Sequence, residues 1–323
     1  MDLKRLVALQ FAVIIILAFF LIKLNLDDNE SITAGLLSPR VYSGILKPQS
    51  YLIFNFEPLE NDIGIYIKNR GINSSVYVLN IRDGASMGIN QEYDFEPASL
   101  NKLPIAILTM KKIENGEYSL DTEFSINDYD KDGRSGSLFN RTDNELSVKD
   151  LLYYMLKESD NTAFRVLSER ISLKDLQSLS EYLNFYSDNL IYDPKLKNNN
   201  IYEITPESTS RLFLSLYLST ILEPEHSEML LSMLTNTSYD INKYARLPND
   251  VIVAQKYGSY YVNDSRYFHS CGIMYIKDSR ILYCIMTEGL AKDEGEKEIG
   301  NIVNKIYTYV VSSRKSFDKQ PPL

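Results

Sequence analysis

Three short clusters hold the side chains best suited to chemistry. Ser99-Leu100-Asn101-Lys102 sets a hydroxyl three residues ahead of an amine. Ser159-Asp160-Asn161 adds a second hydroxyl and an amide, and Lys256-Tyr257-Gly258 adds a second amine next to a glycine. A serine hydroxyl is a weak nucleophile until a neighbouring base takes its proton. A lysine can do so once burial or a second cation lowers its proton affinity. With only two histidines, His226 and His269, far apart in the sequence, neither a Ser-His-Asp triad nor a histidine-rich metal centre has the side chains it needs. Both histidines read as packing or surface residues.

Each cluster also has a decoy. Ser316-Phe317-Asp318-Lys319, Ser187-Asp188-Asn189 and Lys131-Asp132-Gly133 spell the same triplets, so the elements around each copy must decide. Ser99 precedes the apolar run Leu103, Ile105, Ala106, Ile107, Leu108 and Met110, which places it at a helix start, where free N–H groups and the dipole favour an ionised oxygen. Lys102 at i+3 shares its face. Alone, the pair would be an N-cap and a solvated lysine. The Ser316 copy lies in a polar tail near Pro321-Pro322 with no apolar helix after it.

Ser159 follows an amphipathic helix that opens with Ser147 as cap and Asp150 at the third position, and it breaks that helix before a second at Phe164–Arg170. Asp160 reads as the structural tie of this turn. Ser187 follows an aromatic loop and reads as a surface turn. Val251-Ile252-Val253-Ala254 is β-branched and predicts a strand leading into Lys256; Gly258 lets another backbone approach it. Lys131 sits in a loop of alternating acids. Asp128-x-Asp130-x-Asp132-Gly133 opens like a calcium loop, but Phe139 stands where a bidentate glutamate is required, so it reads as a polar loop.

The order and setting of the three clusters resemble those of the class A β-lactamase and penicillin-binding serine hydrolase family, over about residues 57–312. The resemblance implies an α+β fold: an antiparallel sheet from N- and C-terminal strands, flanked by helices, with an all-helical subdomain. It makes Ser99 the acylated nucleophile, Lys102 its base, Ser159 the relay to the leaving nitrogen and Asn161 the holder of the substrate amide. Lys256 attracts the substrate carboxylate and orients Ser159, Gly258 admits the substrate, and the N–H groups of Ser99 and Ser259 form the oxyanion hole. No metal or cofactor is implied. Two departures stand out. Tyr257 occupies a place where the family has a small hydroxyl residue, which removes a carboxylate contact or narrows the slot. The E-x-x-x-N of the β-lactamases is missing from 185–204: Glu181 and Asn184 are wrongly spaced, and Asp193 and Glu203 lack the asparagine. The water-activating base is unassigned.

The local patterns fit that frame. A helix is expected at 58–70, strands at 76–81 and 87–89 around an Asp83-Gly84 turn, helices through 99–235 with Thr205-Pro206 opening one, strands at 251–257, 267–277 and 281–287, and a closing helix at 292–312. With an Asp278-Ser279 turn, Cys271 and Cys284 become diagonal neighbours, and the expectation is two buried thiols.

Lysine and arginine number 34 against 43 acids, a net charge of −9, which argues against nucleic acid as a partner. Residues 6–22 are apolar apart from Gln10, Lys23 can snorkel, and Lys4 and Arg5 precede while Asp27, Asp28 and Glu30 follow. The expectation is a 1–5 cytoplasmic stub, a 6–24 transmembrane anchor, a 25–56 linker, a 57–312 catalytic domain outside the cytoplasm and a 313–323 tail; a cleaved signal peptide is the rival. The chain reads as a monomeric, membrane-anchored serine hydrolase of β-lactams. The alternatives are a D,D-peptidase on cell-wall peptides and a slow-turnover receptor for peptidoglycan or β-lactams.

Overall fold

The computed structural model describes residues 54–142, 144–185, 203–235, 237–262, 265–277 and 279–317. The expected anchor (6–24), the linker apart from 54–56, the Ser187 decoy and most of 185–204 lie outside them. Among the described residues no helix is long and apolar enough to cross a membrane.

Helix α1 (Glu57–Arg70) leads into β1 (Asn73–Asn80) and β2 (Ser86–Ile89). A 3-10 turn, Ala98–Asn101, runs directly into α2 (Lys102–Glu114). Two short strands, β3 (Glu123–Ser125) and β4 (Glu145–Ser147), precede α3 (Val148–Lys157), α4 (Asn161–Ser168), α5 (Leu173–Leu183), α6 (Pro206–Leu218), α7 (Pro224–Met233) and α8 (Ile241–Tyr244). Then come β5 (Ile252–Val262), β6 (Ser265–Ile276), β7 (Ser279–Glu288) and α9 (Lys292–Phe317). The main sheet runs β2-β1-β7-β6-β5, antiparallel throughout. The early strands thus join the late ones, and helices α2–α7 fill the intervening sequence.

The sheet is buried on both faces, and alternation assigns each residue to one of them. On the central strand β7, Leu282, Cys284 and Met286 face the helical subdomain, while Ile281, Tyr283 and Ile285 pack in the second core with α1 and α9. The helix starts are set by local chemistry. Ser147 accepts from the Asp150 N–H at 3.1 Å, and Thr205, followed by Pro206, accepts from the Ser208 N–H at 3.0 Å; each satisfies an orphan helix donor. Helix α9 runs to Phe317, past the expected 312, with Val310 buried against the sheet.

The cysteine expectation is corrected. Ile276 pairs with Ser279, so the β6–β7 turn falls one residue earlier than Asp278-Ser279, and Cys271 stands directly opposite Cys284. The two form a disulfide, with Cα atoms 3.9 Å apart. A one-residue shift of the turn converts a diagonal pair into a facing one.

Two glycines make opposite predictions. A methyl at Gly300 in α9 would lie 2.7 Å from the Tyr244 backbone carbonyl carbon, whereas one at Gly64 in α1 meets nothing within 4 Å. Alanine gains about 1 kcal/mol over glycine in a helix, but overpacking against backbone costs about 1–3 kcal/mol. Gly300→Ala should therefore lower the midpoint of urea unfolding and Gly64→Ala should raise it. A stabilised Gly300→Ala would show that α9 and α8 are not in contact there.

Candidate active site

The chain enters the site along a short bridge. Phe95 N–H donates to the Ile204 carbonyl at 2.9 Å and Ile204 N–H donates back at 3.0 Å. Pro97 is buried, and Ala98 takes a left-handed φ of 47°, which costs a non-glycine residue about 1–2 kcal/mol. Ser99 then lies inside the 3-10 turn, and α2 begins at Lys102 rather than at Ser99. The tighter turn helps: with three residues per turn, positions i and i+3 eclipse. Lys102 Nζ accordingly lies 2.8 Å from Ser99 Oγ.

Ser159 closes the break between α3 and α4, also left-handed at φ 57°. Asp160 is the structural tie expected of it: its carboxylate accepts from the Ala163 N–H at 2.8 Å, capping α4, and from the Leu138 N–H at 2.9 Å. Asn161 N–H donates to the Ser135 carbonyl at 3.0 Å. Gly136 fits because a side chain there would strike Asp160, 2.0 Å from its Oδ2. So clamped, Asn161 accepts from Lys102 Nζ through its Oδ1 at 2.8 Å.

On β5, Lys256 and Gly258 share the face turned to the helical subdomain. Lys256 Nζ donates to Ser159 Oγ at 2.9 Å and to the Tyr257 carbonyl at 2.8 Å. A methyl at Gly258 would sit 3.0 Å from Ser99 N, so the nucleophile's turn rests on this glycine. Gln255 N–H bonds outward to the Leu234 carbonyl. By strand alternation Ser259 N–H points the same way, to the outer edge of β5, and Ser99 N lies against the neighbouring Gly258. Two amides so placed suit a developing oxyanion. Tyr257 points to the other face. Its ring packs 5.9 Å from Tyr239 and 6.3 Å from Phe268, centroid to centroid. The ring also lies 4.5 Å from Lys256 Nζ, so Tyr257 lacks the hydroxyl and flanks the amine of the third cluster.

Burial dominates the electrostatics. Lys102 is 2% exposed and Lys256 fully enclosed. Desolvation brings Lys102 down to about 7, against the opposing pull of Asp160 and Asp132. Lys256 falls well below the usual lysine range, through burial first and the charge of Lys102 second. Desolvation also raises Asp160, despite its backbone donors. Asp132, the third acid of the calcium-like loop, binds Arg134 and Arg165, each at 2.6 Å, and those partners hold its carboxyl well below the usual range.

The four expected catalytic side chains thus form two hydrogen-bonded groups, Ser99–Lys102–Asn161 and Ser159–Lys256, near enough that the charge of Lys102 acts on Lys256, with Gly258 beside the nucleophile's turn and Ser259 next to it on β5. Sequence reasoning missed two groups behind the nucleophile. Glu96 accepts from the Ala98 N–H at 3.2 Å, keeps a buried Oε2 with no partner among the described residues, and is pushed up to about 7 by burial. His269 is buried beside it and bonds to its carbonyl. Neither belongs to a motif; only pairing of β6 with β5, at His269 and Gly258, could have pointed to the histidine.

A sequence profile described as the β-lactamase enzyme family matches residues 58–310. Among characterised proteins, the chain is 21% identical over 268 residues to β-lactamase VEB-1 of Pseudomonas aeruginosa, covering 76% of this chain and 88% of that one. Among solved structures, a β-lactamase from Sphaerobacter thermophilus superposes with a TM-score of 0.71 at 20% identity, over 80% of this chain and 98% of the other. PBP-A superposes with a TM-score of 0.70 at 19% identity, over 83% and 100%. The fold is the β-lactamase/transpeptidase-like fold, and the profile spans most of the chain: it belongs to the β-lactamase enzyme family and is a serine hydrolase of that type.

Proposed function

We propose that the protein opens β-lactam rings through an acyl-enzyme on Ser99. The contact of Lys102 Nζ with Ser99 Oγ at 2.8 Å carries this reading. A neutral amine that also donates to Asn161 has its lone pair available for the hydroxyl proton. Ser99 Oγ attacks the lactam carbonyl, and the oxygen gains negative charge between the N–H groups of Ser99 and Ser259. One such donor is worth about 3 kcal/mol. Ser159 passes its hydroxyl proton to the departing nitrogen and takes one from the charged form of Lys256, 2.9 Å away, and the tetrahedral centre collapses to the ester. The substrate carboxylate approaches Lys256, and an opposite charge restores the charged form of that amine. Asn161 orients the substrate amide.

Residues 57–312 form the catalytic unit in this reading, a monomer held by 6–24 in the cell membrane with the site on the extracytoplasmic side. The second reading is a D,D-peptidase on cell-wall peptides or a slow-turnover receptor. It is favoured by the sequence, which has no E-x-x-x-N in 185–204 to supply a water-activating glutamate. Acylation is therefore better provided for than hydrolysis of the ester. The PBP-A fold accommodates that reading as well.

Incubating the protein with a fluorescent penicillin and a chromogenic cephalosporin separates these outcomes. Rapid colour supports the lactamase, and persistent label with negligible colour supports the peptidase or receptor. Ser99→Ala should abolish label and colour; label that survives it excludes Ser99 as the nucleophile. Because the neutral amine is the base, acylation should rise with pH through about 7 and then level off. Glu96 titrates in the same range, so Glu96→Gln should retain this rise. A rate flat from pH 5 to 9 would remove Lys102 from the role of base.

A further inference from the structure

The turn that carries Ser99 rests on two neighbouring residues of the sheet. Gly258 on β5 and His269 on β6 are register partners and face the same way. The glycine leaves room for the turn: a methyl there would lie 3.0 Å from Ser99 N, 3.2 Å from Ala98 Cβ and 3.2 Å from the Pro97 carbonyl oxygen. The histidine rises beside that gap, and its Nε2 lies 2.9 Å from the Glu96 carbonyl oxygen. Its Nδ1 accepts from the Thr287 N–H of β7 at 3.3 Å.

These partners fix the tautomer. A carbonyl oxygen can only accept, so Nε2 carries the hydrogen; a backbone amide can only donate, so Nδ1 is bare. The ring is fully enclosed, with Phe95 edge-on at 5.5 Å. Burial holds the imidazole near 4, so it stays neutral where the enzyme works. Two residues beyond the carbonyl it grips, Ala98 adopts a left-handed conformation, and Ser99 follows it directly. Such a conformation persists only where its surroundings over-determine it.

We propose that His269 is a positioning residue for the oxyanion hole: its Nε2–H anchors the Glu96 carbonyl to the sheet and so holds the Ser99 amide in line with that of Ser259. This rests on the acyl-transfer reading above. His269 touches no reacting atom, and its effect is carried by the backbone from Glu96 to Ser99.

The test compares His269→Leu, which keeps bulk and loses the donor, with His269→Gln, whose amide can reach the same carbonyl. In the full-length protein, His269→Leu should slow acylation by fluorescent penicillin on the order of 100-fold, with little change in the concentration that half-saturates the rate, because the lost contact acts in the transition state. His269→Gln should recover most of the rate. Leucine within about threefold of the parent, or both variants falling equally in step with a loss of thermal stability, would overturn the proposal. Hydrogen exchange at the Ser99 and Leu100 amides gives a readout free of any substrate. It should be faster in His269→Leu than in the parent or His269→Gln, and unchanged exchange would also overturn the proposal. If the parent takes no label at Ser99, the acyl-transfer reading fails, and the exchange result alone decides whether His269 holds the turn.

Discussion

The site depends on one close approach: the Pro97 carbonyl, the Ala98 methyl and the Ser99 nitrogen against Gly258. A single methyl there would need the space the turn occupies. From that contact α2 rises into the helical subdomain, and Leu103, Ile105, Ala106, Ile107 and Met110 bury themselves in its core. The same contact sets the Ser99 backbone N against β5. Docking of the helices on the sheet and seating of the proposed oxyanion hole are thus one packing event. Its steric requirement is met by leaving out a side chain, and the backbone strain at Ala98 is held in place by its neighbours.

The second constraint is electrostatic. Two lysine amines are enclosed in one cluster, and desolvation of an ammonium is expensive enough that such groups shed protons instead. Asp160 lies close enough to favour a charged Lys102, but its own carboxylate is occupied by two backbone donors and raised by burial. Desolvation therefore wins at both lysines. For Lys102 that yields a base near neutrality. For Lys256 it leaves an amine whose charge, in the proposed function, the substrate carboxylate restores, which would tie recognition of that group to the orientation of Ser159.

Much of this was legible in the sequence, for reasons specific to each segment. Ser147 and Thr205 cap helices because a hydroxyl at that position satisfies a local donor whatever the rest of the chain does. The β-branched run before Lys256 forms a strand, and Asp160 ties its turn. Elsewhere local patterns were ambiguous. The β6–β7 turn admits two placements one residue apart, and only the register with β1 and β5 chose the one that joins Cys271 to Cys284. Tyr257 had two possible consequences, and the face it takes was decided by Tyr239 and Phe268, distant in the chain and waiting on the far side of the sheet. Ser99 was expected at a helix start and lies in a 3-10 turn, because the seat on Gly258 favours the tighter winding.

The sequence by itself determined which side chains could do the chemistry and which elements would carry them, since motif spacing, capping and periodicity act over a few residues. Only the tertiary structure decided that Lys102 is buried beside Ser99, that Tyr257 packs with Tyr239 and Phe268 against the Lys256 amine, and that Glu96 and His269 stand behind the nucleophile. Burial and long-range hydrogen bonds join residues from segments far apart in the chain, and no local pattern encodes how deeply such residues are enclosed once those segments meet.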